Sequence, residues 1–245
     1  MYDELAVIYD RTGQCRFSLK MVSYMFEILA LRRLKPRRVA EFACGTGAAA
    51  VAMSRRGFEV TAVDASEGML ARAKCRASKW NASVDWRRMR FSEIDLPPVY
   101  DLATCFYDSL NHLTEPAALR SALRGVRRSL APGGHFFFDA NTHYAMGRLW
   151  NGAEDHFVAE DYARFWRSRY DAETAIATLR ATYFTSEPDG RYRRLDVEHR
   201  ARGYDLDEVG GILRETGFDL VAAYDCFTFA APEPWTPRIA YLART

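Results

Sequence analysis

VAEFACGTGAAAVAMSRRGFEVTAVDAS, residues Val39 to Ser66, decides the fold. An apolar run carries an acid at its end, Glu41, and enters a turn, Ala43-Cys44-Gly45-Thr46-Gly47. Small residues suited to a helix follow, and a second apolar run ends on Asp64. In an open α/β sheet, ligands bind outside the carboxyl ends of the strands. Glycines let a turn approach its ligand, and an acid ending the next strand can accept both hydroxyls of a ribose. The stretch therefore predicts a site for a nucleoside-bearing molecule.

Two classes of nucleoside compete. Gly45-Thr46-Gly47-Ala48-Ala49-Ala50 fits the dinucleotide fingerprint G-x-G-x-x-A, with Asp64 close to the expected ~20 residues onward. That match alone would read as a nicotinamide-dependent oxidoreductase. Glu41 argues the other way, because it sets a negative charge where a pyrophosphate would lie and where a cationic amino group would be welcome. Helical residues also precede Val39, whereas dinucleotide domains often open with this strand.

Around the motif the chain alternates. Strands are expected at 38–42, 59–64, 84–88, 100–106 and 135–140, and helices at 47–56, 66–77 and 116–130. Such alternation implies a parallel sheet with right-handed crossovers and helices on both faces. Ahead of it, Phe17, Met21, Tyr24, Met25, Ile28 and Leu31 recur at helical spacing, which predicts a helix ended by Lys35-Pro36. After Trp150 the composition turns to aromatics and threonine with polar alternation, predicting three antiparallel strands at 162–170, 174–185 and 190–203. A helix at 205–216 and strands at 218–226 and 238–242 close the chain.

Composition bounds the function. At 245 residues and 49% hydrophobic, the chain can bury one substantial core. No apolar run is long enough to span a bilayer, and MYDELAVIYDR lacks the layout of a secretory signal. The five cysteines (15, 44, 75, 105 and 226) form no C-x-x-C, which reads as reduced thiols in a cytoplasmic protein. The five histidines show no zinc-like pairing, so no metal is expected. With 34 basic against 32 acidic side chains, the clusters at Arg32-Arg33, Arg87-Arg88, Arg127-Arg128 and Arg191 to Arg194 read as solvated faces, and neither nucleic acid nor membrane is an expected partner. Homodimer formation stays open.

The wording E-x-A-C-G-T-G followed by V-D-A-S resembles the class I S-adenosyl-L-methionine (SAM)-dependent methyltransferases. That resemblance implies one methyltransferase domain over 1–245. It has a Rossmann-like seven-stranded sheet, a helical N-terminal lid over 1–34, and an antiparallel insertion over 151–203, after the fifth strand, above the active site. It implies SAM as cofactor, with Glu41, Ala43, Gly45 and Gly47 toward its methionine half. Asp64 would take the ribose, with Ala65, Ser66 and Met69 flanking ribose and adenine, and Phe106 closing the site after the fourth strand. Where relatives carry Asp-Met-Arg, this chain has Arg88-Met89-Arg90, and arginine cannot accept a bond from the adenine amine. Adenine is then expected on backbone groups around Met89 and Arg90.

The signature of enzymes that methylate base amines or glutamine amides, Asn/Asp-Pro-Pro-Tyr, is missing. Phe106 to Leu113 (FYDSLNHL) and Tyr2 to Asp10 (YDELAVIYD) resemble small-molecule enzymes, including N-methyltransferases of amino sugars. By that likeness Tyr9 and His112 face the methyl donor, and the acceptor is a nitrogen or oxygen of a small molecule. Histidine's ordinary pKa near ~6.5 suits removal of the acceptor's proton. Asp139, Asn141 and His143 either line the acceptor pocket or shape turns. The aromatic band Trp150, Phe157, Tyr162, Phe165, Trp166, Tyr183 and Phe184 and the polar Glu198, His199 and Arg202 either face that pocket or pack the sheet. A protein that binds SAM without turnover is the remaining alternative.

Overall fold

The computed structural model describes residues 2–245; Met1, where the expected domain and lid begin, lies outside the described residues. In chain order the elements are α1 (Tyr2–Leu5), α2 (Cys15–Leu31), β1 (Arg38–Phe42), α3 (Ala48–Ser54), β2 (Glu59–Asp64), α4 (Glu67–Lys79), β3 (Val84–Arg88), β4 (Tyr100–Cys105), α5 (Pro116–Ser129) and β5 (Leu130–Asn141). A second set follows: β6 (Glu154–Val158), β7 (Tyr162–Asp171), β8 (Ile176–Ser186), β9 (Tyr192–Arg202), α6 (Leu206–Glu215), β10 (Asp219–Asp225) and β11 (Arg238–Arg244).

Seven strands form one sheet in the order β10-β11-β5-β4-β1-β2-β3. β1 to β5 run parallel, and β11 enters antiparallel between β5 and β10. Period-two alternation sorts its side chains into two cores. Phe136 and Phe138 of β5 pack with Leu119, Leu123 and Val126 of α5 and Ile212 and Leu213 of α6. Phe137 points the other way, toward Met21, Met25 and Ile28 of α2 and Ala49, Ala50 and Met53 of α3. The carboxyl ends of β1, β2 and β4 thus open at one edge, flanked by both helix layers.

Local chemistry fixes the element ends. Ser66 caps α4 by accepting the Met69 amide at 3.1 Å, and Pro116 opens α5, where its missing N–H loses nothing. The insertion is a separate sheet, β6-β7-β8-β9, antiparallel throughout.

The expected insertion has one strand more than predicted. Every residue of β6 is exposed, so Glu154–Val158 carries no alternation to read; pairing with β7 alone makes it a strand. The expected lid over 1–34 divides in two. α2 covers the large sheet as a core layer, and only the residues ahead of it, from Tyr2 to Gln14, lie across the strand ends.

Candidate active site

A cavity of about 610 Å³ lies between the strand ends, the N-terminal segment and the small sheet. That size is typical of a small-molecule or cofactor site. Its walls come from β2 and the glycine turn (Gly45, Asp64), the N-terminal segment (Tyr2, Tyr9), the loop after β4 (Tyr107, Asp108, His112) and the inner face of the insertion (Trp166, Tyr183, His199).

Asp64 organises the donor side. Its Oδ2 accepts the Gly45 amide at 2.8 Å and its Oδ1 the Ser66 amide at 2.8 Å. Burial outweighs those bonds and raises its pKa. Each carboxylate oxygen keeps a lone pair for a further donor. Ala43, Ala65, Met69, Met89 and Arg90 continue the wall. The Met89 amide is already engaged, donating to the Asp64 carbonyl at 3.1 Å, and Arg88 turns outward to Glu67 at 3.0 Å.

Three expected contacts stand behind this wall. Gly47, at φ +71°, has Trp86 2.6 Å and Ala73 2.8 Å from where a Cβ would sit. Its glycine serves helix-to-strand packing, not approach to a ligand, and only Gly45 of the two reaches the cavity. Phe106 is buried edge-on against Phe137. Glu41 is enclosed beneath the turn; burial first, then Asp64, pushes its pKa up to about 8, and its Oε2 has no partner. Cys44 packs there too, its thiol held well above its usual range by burial.

The N-terminal segment is tied down at both ends. Asp3 Oδ1 accepts the Ser66 hydroxyl and the Gly68 amide, each at 2.7 Å. Asp10 accepts the Thr46 hydroxyl at 2.7 Å and pairs with Arg76 at 2.6 Å. Between those ties Leu5 and Ile8 bury against Tyr162, Ala181, Tyr183 and Val197 of the insertion.

Tyr9 and His112 both reach the cavity, and Tyr2 joins them. The Nδ1 of His112 lies 3.1 Å from the Arg200 carbonyl, which can only accept, so the proton sits on Nδ1. Its Nε2 is then an acceptor, facing the Tyr2 hydroxyl at 3.2 Å. His199 lies 3.5 Å from the same hydroxyl, and burial, then His112, lowers its pKa to about 4.

Tyr107 and Asp108 hold consecutive left-handed conformations, at φ +62° and +48°. Two such residues store about 1–3 kcal/mol each and need outside support. Buried Asp139 supplies it by accepting both amides, at 2.8 and 3.0 Å. Asn141 donates to Asp108 at 3.0 Å, and Arg238 binds Asp108 and Asp139 together. Asp139 and Asn141 are therefore turn supports, and His143 contacts Tyr170 and Glu208 away from the cavity. Glu198 pairs with Arg180 and Arg202 with Glu208, so neither faces inward. Of the aromatic band, Trp150, Trp166 and Tyr183 line the cavity, Tyr162 packs under the N-terminal segment, and Phe157 and Phe165 are exposed.

Sequence reading missed Arg238, Asp108 and Tyr2. Arg238 lies 130 residues from its partner Asp108, so no local pattern signals the pair. Tyr2 stands in the same quoted segment as Tyr9, and the repeated pair Tyr2-Asp3 and Tyr9-Asp10 was the available signal.

Residues 39–134 match a family described as a methyltransferase domain. A protein of Geobacillus sp. (strain WCH70), provisionally named a methyltransferase, is 29% identical over 99% of both chains. The crystal structure of a SAM-dependent methyltransferase from Clostridium acetobutylicum ATCC 824 superposes with a TM-score of 0.88, at 23% identity, over 99% of this chain and 98% of that one. The SAM-bound structure of an amino pentose methyltransferase from Micromonospora echinaspora superposes with a TM-score of 0.76, at 20% identity, over 97% and 96%. Residues 39–134 thus match a methyltransferase domain, and the whole chain shares the fold of the SAM-dependent methyltransferases of known structure, a Rossmann-like sheet with an antiparallel insertion. The matched domain and the relative make the chain a methyltransferase. Among the described residues, no helix is long and apolar enough to cross a membrane.

Proposed function

We propose that the enzyme methylates a nitrogen or oxygen of a small molecule held between the strand ends and the insertion. The observation that carries this reading is one continuous cavity with Asp64 on one wall and the acceptor Nε2 of His112 on another. SAM supplies a methyl group on a sulfonium. Asp64 would hold its ribose, the Gly45 turn its methionine half, and the side chains of Met69 and Met89 with the backbone at Arg90 its adenine. Glu41 would act from beneath the turn: burial holds it protonated near neutral pH, and an ammonium arriving beside its unpartnered Oε2 would favour the carboxylate.

The remaining work is alignment and proton removal. Enclosure orders the reacting pair, which contributes several kcal/mol of barrier reduction. Tyr9 and Tyr2 offer apolar faces and phenol oxygens to a cationic methyl. His112 Nε2 takes the acceptor's proton, directly or through the Tyr2 hydroxyl. Likeness to the structure of a sugar N-methyltransferase from Streptoalloteichus sp. ATCC 53650 supports a nitrogen acceptor by fold alone.

Asp64→Ala tests the donor side. SAM affinity measured by calorimetry should fall at least about tenfold, because hydrogen bonds to a charged acceptor are each worth ~1.5–3 kcal/mol. Unchanged affinity in a folded variant removes Asp64 from the site.

A further inference from the structure

The inner face of the insertion carries a guanidinium whose donors are not all used. Strand register sets Arg164 beside Tyr183 and Asp155 beside Trp166, so alternation turns all four toward the cavity. Arg164 Nη2 donates to Asp155 Oδ2 at 3.0 Å. Its Nε has no partner, and the partly exposed Arg164 side chain lines the cavity. A buried donor left unpaired is costly, and more so on a charged group. Arg238, the cavity's other deep arginine, differs in being bound by two aspartates at once.

We infer that Arg164 anchors an anionic group of the acceptor substrate, a carboxylate or a phosphate ester, through its Nε edge, with Trp166 and Tyr183 packing the apolar body beside it. This subsite rests on the reading of the cavity as a methyl-acceptor site. The guanidinium edge is planar and matches the paired oxygens of either anion. Asp155 balances the charge of Arg164 through Nη2 and leaves its Nε without a protein partner. The proposal narrows the acceptor to an acidic small molecule that brings its nucleophile to His112 while its anion lies on β7.

The test is a binding measurement on the full chain loaded with S-adenosylhomocysteine. The probes are benzoate, phenyl phosphate and benzamide, followed by tryptophan fluorescence, since Trp150 and Trp166 line the cavity. At least one anion should bind about tenfold or more tighter than benzamide, a neutral carbonyl of the same shape, and the better of the two names the source. Arg164→Gln should erase that preference while binding S-adenosylhomocysteine as the wild type does. Asp155→Asn should tighten the anion, because it removes a negative charge beside it. Equal binding of all three probes to the wild type, a preference that survives Arg164→Gln, or weaker anion binding in Asp155→Asn overturns the subsite. If the wild type fails to bind S-adenosylhomocysteine, the donor-site reading falls and takes the subsite with it. If it binds and the probes are not discriminated, only the subsite falls.

Discussion

Glu41 is the residue whose behaviour the site determines most sharply. Burial raises its folded pKa from 4.5 to about 8, so the folded state holds the proton more tightly than the unfolded chain. Its contribution to stability is complete below pH 4.5 and is lost as pH rises through about 8. Glu41→Gln should therefore be the more stable protein at about pH 9, by roughly 2 kcal/mol or more, and lose that advantage near pH 5. Denaturant melts at the two values check it, and parallel curves would mean that Glu41 is solvated. His112 makes a second claim at this scale. Nitrogen-15 shifts should report the Nδ1–H form of the neutral ring, since the Arg200 carbonyl requires it. With an acceptor found by screening amines and phenols, His112→Ala should slow turnover ~10²–10⁴-fold. A loss of only a few-fold would mean that the acceptor arrives already neutral. That Asp64 and Gly45 reach the cavity was legible because a glycine turn and a strand-ending acid form a local pattern. The roles of Glu41 and Gly47 were not, because the motif gives residue types, whereas neighbours such as Trp86 decide which of them reach the cavity.

At the scale of elements, the N-terminal segment closes the cavity through a few specific ties. Asp3 holds it to the start of α4 and Asp10 to Thr46 and Arg76, while Leu5 and Ile8 seat it on the small sheet. The double variant Asp3→Ala, Asp10→Ala should release S-adenosylhomocysteine several-fold faster in stopped-flow measurements, with its melting temperature nearly unchanged. Unaltered release would show that the segment does not gate the site. Gly47 joins the glycine turn to α3, and its substitution tests packing apart from binding. Gly47→Ala forces a Cβ into Trp86 at a left-handed φ, so chemical denaturation should register a loss of about 2–4 kcal/mol. Strand–helix alternation made the large sheet readable, since its central strands β1, β4 and the second half of β5 are buried on both faces and read as apolar runs. β6 was unreadable for the opposite reason, being exposed throughout and defined by its neighbour. The short helical turn Ser109–His112 was equally hidden, because Asp139 and Asn141, some thirty residues onward, hold the loop that bears it.

The whole molecule brings four separated stretches of chain to one cavity: the N-terminal segment, the strand ends, the loop after β4 and the insertion. Arg238, on the last strand, joins the loop after β4 to the end of β5 and stacks over Phe17 of α2 at 4.5 Å. The chemistry of the donor is set by the sheet and its turns, which is why one motif was enough to suggest the class. The chemistry of the acceptor is set by the insertion and N-terminal segment, where side chains meet only after folding. The most direct measurement is a crystal structure of the full chain with S-adenosylhomocysteine. It should show the ribose hydroxyls on Asp64 and the sulfur turned toward His112 and Tyr9. A nucleoside lying outside this cavity, with Asp64 still bound only to Gly45 and Ser66, would contradict the account.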